Sequence, residues 1–146
     1  MRDWRRNLIE DEAGIRLVVR NSRRVAVLGI KPESRSGQPA FFVPNYLAHV
    51  GIEVVPVPVY YPDVTEILAR RVYRKISEVP GHLDLVDVFR RPWDIDQHVD
   101  DIVAKMPKAV WFQSGIVNHG AAERLARAGI KVVQDRCLMV EHRRLH

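Results

Sequence analysis

The residues best equipped for chemistry in this chain sit in short polar clusters, each directly after an apolar run. The first is GIKPESRSGQ, in which Gly29 and Ile30 lead into Lys31, Ser34, Arg35 and Ser36. Ahead of a helix amino terminus, such a loop offers free backbone N–H groups, hydroxyl donors and positive charge to a phosphate. It matches neither G-x-G-x-x-G nor a Walker loop, and an ordinary polar turn between a strand and a helix explains the same residues. After a second run come Phe89, Arg90 and Arg91. An aromatic face can cover an adenine and a guanidinium fits a phosphate bidentately; alternatively Phe89 belongs to the core and the arginines pair with Asp94 or Asp96. Gln113, Ser114 and Gly115 follow a third run, where an amide can read a polar ligand group and glycine allows close backbone approach. A simple turn is the competing reading.

Asp135, Arg136 and Cys137 follow the last run. A lone cysteine is more often a small buried apolar side chain than a nucleophile, and the sequence places no histidine to activate it. His119 reads as a capping or surface residue. No triad, metal-ligand spacing or carboxylate pair defines a reaction.

The apolar runs themselves set the architecture. Residues 24–29 (RVAVLG), 53–59 (EVVPVPV), 83–89 (LDLVDVF), 109–112 (AVWF) and 130–133 (IKVV) read as strands, mostly continuous and rich in β-branched residues, as strands covered on both faces are. Between them, helical spacing recurs at Phe42, Val43, Tyr46, Leu47 and Val50, at Ile95, Val99, Ile102, Val103 and Met106, and over 121–128. Pro44 is expected to kink the first of these helices early or delay its start. Gly51 and Gly129 stop two of the helices. Flanking helices are expected in the amino-terminal segment, residues 1–23, and over 138–144. Five strands alternating with helices predict an α/β fold: a Rossmann-like three-layer sandwich around a five-stranded, mainly parallel sheet. Ligands bind such sheets beyond the carboxyl ends of the strands, where the strand order reverses, which is where the polar clusters lie.

The chain has 146 residues, 47% of them apolar, which fits one globular domain over 1–146, and a formal charge of +5, which fits either an anionic partner or, more commonly, a solvated basic surface. Its basic residues occur as separate pairs such as Arg23-Arg24 and Arg70-Arg71, without an aromatic-interleaved stripe, which argues against nucleic acid. No apolar run approaches the roughly 18 residues of a membrane span, and the charged amino terminus lacks the apolar core of a secretory signal. One cysteine allows no internal disulfide, so a reducing cytoplasm is expected. A site for NAD would favour an acid at the end of the second strand, which instead reads PVPVYYP.

The segments VAVLG, VPVPV, LARRVYRKISEVP, DLVDVFRRP, KAVWFQSGI and AGIKVVQDRCLMVEHRRL, in this order and spacing, resemble the CoA-binding proteins of bacteria and archaea. These are stand-alone relatives of the amino-terminal domain of succinyl-CoA synthetase α subunits, and the likeness runs over residues 24–145. The resemblance implies a Rossmann-like fold that binds coenzyme A or an acyl-CoA without an established reaction. By that analogy the loop from Ile30 to Ser36 receives the nucleotide phosphates, while Val57 and Pro58 line the nucleotide's path. Val88, Phe89 and Arg90 flank the adenine and phosphate end, Gln113, Gly115 and Ile116 line the cleft toward the pantetheine, and Cys137 lies near the CoA thiol. This chain departs from many relatives at Ser34-Arg35-Ser36 and at Ala69. The ligase's phosphorylated histidine lies in a second domain and has no counterpart in the segments matched, so ligase activity is not carried over. The different reading is an NADP-dependent enzyme or another dinucleotide-binding protein on the same fold; the sequence identifies no protein partner.

Overall fold

The structure, a computed structural model, describes residues 3–145. The first long helix, α1 (Glu12–Asn21), starts where the Asp11 carboxylate accepts the Gly14 N–H at 3.2 Å, and it buries Ile15, Val18 and Val19. Strand β1 (Arg24–Leu28) follows, then a loop and helix α2 (Pro39–His49). Helix α2 begins earlier than the apolar spacing predicts, with Pro39 at its first position, where proline's missing N–H costs nothing. Pro44 lies inside it. A proline there leaves the carbonyl four residues back without its helical partner. That carbonyl, on Ala40, accepts the N–H of Lys31 at 3.1 Å instead. The proline therefore releases an acceptor that ties the loop after β1 to the helix.

Strand β2 (Glu53–Val57) is followed by a two-stranded antiparallel hairpin, β3 (Glu66–Ile67) and β4 (Arg70–Arg71). Then come β5 (Leu85–Val88), α3 (Asp96–Lys105), β6 (Ala109–Phe112), α4 (His119–Arg127), β7 (Lys131–Val133) and α5 (Leu138–Arg144). The five strands expected from the sequence form one sheet in the order β2-β1-β5-β6-β7, every neighbouring pair parallel. The hairpin was not expected, because two residues per strand carry no alternation, and its turn, Leu68 and Ala69, takes φ of 55° and 59° without glycine or asparagine.

Alternation along the strands builds a core on each face. Ala26, Leu28, Val86, Val88, Val110 and Phe112 pack against Val99 and Ile102 of α3 and Ala121 and Leu125 of α4. Val25, Val27, Leu85 and Trp111 pack against Ile15, Phe41, Leu47 and Leu138 of α1, α2 and α5. Each such large side chain contributes about 1.5–3 kcal/mol by leaving water. The Asp87 side chain breaks this pattern: it is 0% exposed, and neither of its carboxylate oxygens has a hydrogen-bond partner among the described residues. Burial pushes its carboxyl well above the usual range. On the β7 edge, the Ile9 N–H donates to the Val132 carbonyl at 2.8 Å, so the amino-terminal segment covers part of an otherwise open strand. Among the described residues no helix is long and apolar enough to cross a membrane.

Candidate functional site

The chain leaves β1 for β2 on one side and returns to β5 on the other, so the strand order reverses between β1 and β5. Their carboxyl ends part there and open a crevice. Gly29 forms its floor with φ of 87°, and a Cβ at this position would stand 2.2 Å from the Phe89 carbonyl oxygen. Only glycine lets the two strand ends approach this closely. The Gly29 N–H reaches the Val57 carbonyl at 2.9 Å and the Phe89 N–H reaches the Leu28 carbonyl at 2.9 Å, which fixes the three adjacent strand ends.

Above this floor lies a cleft of about 600 Å³. Lys31, Gln38, Pro39 and Ala40 form one wall, Phe89, Arg90, Arg91 and Pro92 the other, with Tyr60 and Ile116 at the ends. The Lys31 ammonium donates to the Gln38 side-chain carbonyl, so the lysine is held across the loop mouth. Arg90 is the buried cation of the site, its side chain only 7% exposed. Its Nε donates to Nε2 of His98 at 3.2 Å, its Nη1 donates to the Tyr60 hydroxyl at 3.4 Å, and its Nη2 stands 3.9 Å from the Asp94 carboxylate. The guanidinium also lies 5.5 Å from the centre of the Tyr60 ring. The hydrogen bond and charge from Arg90 draw the Tyr60 phenol below its usual range. Asp94 takes its shorter ion pair from Arg91, at 2.7 Å, and Arg91 in turn lies 5.5 Å from the centre of the exposed Trp93 ring.

Beyond the Arg90–His98 contact lies a second hollow of about 480 Å³, lined by Pro58, Val59, Arg74, Lys75, His98 and Asp101 among others. Arg74 spans four backbone carbonyls, those of Tyr60, Tyr61, Pro62 and Val64, and so pins the loop that carries Tyr60.

Of the residues singled out in the sequence, Lys31, Phe89, Arg90 and Ile116 line the main cleft, and Pro58 lines the second hollow. Ser34, Arg35 and Ser36 are exposed on the loop between Lys31 and Gln38, with the first two in a short 3-10 turn, Glu33–Arg35. The Glu33 carboxylate accepts the Leu68 N–H at 2.9 Å and fastens the β3–β4 hairpin to that loop. Ile30, Val57 and Val88 are buried at 1%, 0% and 0% and belong to the core that supports the cleft. Gln113 is buried and its amide oxygen accepts the Leu138 N–H at 3.1 Å, so it starts α5. The Gly115 N–H donates to the Asp135 carboxylate at 2.6 Å. Cys137 is half-buried, precedes α5, and packs on the core shared by α1, α2 and α5 outside the cleft lining.

The sequence assigns no individual role to Tyr60, Gln38, Pro92 or His98. Tyr60 lies in PVPVYYP at the end of the second strand and Gln38 closes the GIKPESRSGQ loop, whereas His98 is a helix residue with no local signal. Cations set among apolar walls suit a phosphorylated ligand with an apolar portion. Among the described residues no cluster of three or more His, Cys, Asp and Glu is placed to hold a metal ion.

Known proteins are similar to this chain in sequence and in fold. An uncharacterized protein of Bacillus subtilis (strain 168), YneT, is 28% identical over 131 residues, covering 90% of this chain and 93% of its own. A solved structure from Thermus thermophilus, cell-free ID.343, is 34% identical with a TM-score of 0.84, covering 94% of this chain and 100% of its own. A dinucleotide-forming acetyl-coenzyme A synthetase from Candidatus Korarchaeum cryptofilum, solved with phosphate and ADP, shares the fold over 77% of this chain and 25% of its own, at 20% identity and a TM-score of 0.64. The family profile described as CoA binding domain matches residues 23–143, from just before β1 into α5, and so takes in the whole sheet and the crevice at its order reversal. By that match the chain belongs to the CoA-binding domain family.

Proposed function

We propose that residues 1–146 act as one unit that binds coenzyme A or an acyl-CoA in the crevice between β1 and β5, and that binds its ligand without transforming it. The observation that carries this reading is the coincidence of the family's matched region with a cleft whose buried cation, Arg90, stands beside apolar walls at the order reversal. Lys31 and Arg90 would meet phosphates, with Arg35 on the exposed loop, while Phe89 and Ile116 would face the apolar parts of the ligand. The lining offers cations, amides and apolar surface, which serve recognition. A single cysteine and the absence of a long apolar helix among the described residues are compatible with a cytoplasmic home.

Thermal unfolding with CoA, NAD and NADP tests the reading, since a ligand of the native state stabilises by about RT ln(1 + [L]/Kd). CoA should raise the midpoint and the two dinucleotides should leave it unmoved. A midpoint raised by NADP and indifferent to CoA would reverse the assignment.

A further inference from the structure

The Arg90–His98 contact fixes a protonation state. A guanidinium nitrogen can only donate, so the His98 Nε2 at 3.2 Å must accept, and the ring is neutral with its proton on Nδ1. The contact also divides the site, because Arg90 lines the main cleft and His98 the hollow beyond it.

The charges around His98 come from every neighbouring element. Arg90 and Asp94 face it from the segment after β5, Asp101 and Asp100 from its own helix α3, and Arg74 and Lys75 from the segment after β4. Tyr60 reaches the group through Arg90. Burial first, then the Arg90 charge, hold the imidazole below the usual histidine range against the opposing pull of Asp101 and Asp94. An anion seated on Arg90 would cancel that repulsion and offer His98 an acceptor.

We propose that His98 is a proton-dependent partner of Arg90: a phosphate that draws the guanidinium onto itself breaks the Nε–Nε2 hydrogen bond, the freed Nε2 lone pair takes one proton from solvent, and the imidazolium then turns its Nε2–H to the anion. This rests on the phosphate-binding reading of the cleft above and adds to it a pH-dependent affinity. Binding is then strongest where His98 is readily protonated and weakens as pH rises through the pKa of the complex.

The test follows the His98 ring by NMR across pH, its signal assigned by its loss in His98→Gln, in the free protein, with CoA, and with inorganic pyrophosphate. Calorimetry with CoA in two buffers of different ionisation enthalpy counts the protons taken up. His98 should titrate below ordinary histidines when free and higher with either ligand. For every tenfold gain in its proton affinity, CoA should bind about tenfold more weakly at high pH than at low pH. His98→Gln should bind CoA with no proton uptake. CoA binding with an unmoved His98 titration would overturn the role of His98 and leave CoA binding standing. A shift with pyrophosphate and no binding of CoA would keep His98 and remove CoA as the ligand. Failure of both ligands to bind would overturn both.

Discussion

Replacing Asp87 with valine should stabilise this protein. The carboxyl lies in the middle of the sheet, level with Val27 on β1 and Trp111 on β6, at 0% exposure with both oxygens unpartnered among the described residues. Burying a polar group without a partner costs about 1–3 kcal/mol on mutational scales, and valine is a β-branched residue of similar size suited to a strand. For 146 residues the unfolding entropy is about 0.3 kcal/mol/K, so the midpoint should rise by about 3–10 °C. The pH dependence provides the sharper check. Because the folded carboxyl titrates well above its unfolded value, the native state holds a proton that the unfolded chain releases. Its contribution to stability is complete below the unfolded carboxylate range and is lost as pH rises toward the folded pKa. The advantage of Asp87→Val should therefore grow from pH 4 upward, measured by urea unfolding at several pH values. A variant less stable than the parent, with a difference that does not change with pH, would show that the carboxyl has a partner the fold needs. CoA binding should survive the change, since Asp87 does not line the cleft.

Other perturbations separate the cleft from its supports. Gly29→Ala places a Cβ 2.2 Å from the Phe89 oxygen at φ of 87°, and should cost roughly 2 kcal/mol or more in chemical denaturation; unchanged stability would mean that the strand ends can part. Arg35→Ala and Arg90→Ala should each weaken CoA binding by roughly 1.5–3 kcal/mol in calorimetry if each meets a phosphate. Only the Arg90 variant should also lower the melting point, because Arg90 alone of the two is buried. Binding equal to the parent in both variants would remove the phosphates from these side chains. CoA disulfide should leave no adduct on Cys137 by intact mass, given its half-buried place at the start of α5, against the core and outside the cleft lining; an adduct lost in Cys137→Ser would bring the thiol into the site.

By itself the sequence determined the architecture. Apolar runs with turn residues between them marked all five strands of the sheet, and helical spacing marked α3 and α4, because two-sided burial leaves a local signature that needs no partner to be read. The reach of α2 back to Pro39 was hidden by Pro44, whose disruptive effect is offset by a bond that closes only when Lys31 folds against the helix. The hairpin at 66–71 was hidden for a related reason: its anchor, Glu33, is far away in the chain. The strand ends are where a topology rule directs the search, and a cleft opens at two of them, those of β1 and β5. Which side chains converge there was decided only in three dimensions. Ile30, Val57 and Val88 are buried in the core while Tyr60 and Gln38 line the cleft and His98 the hollow beside it, and the link from Arg90 to His98 depends on how α3 packs beside the end of β5. Strand and helix are written in local spacing. The partners of a buried charge are set by packing between elements distant in the chain, which no local pattern encodes.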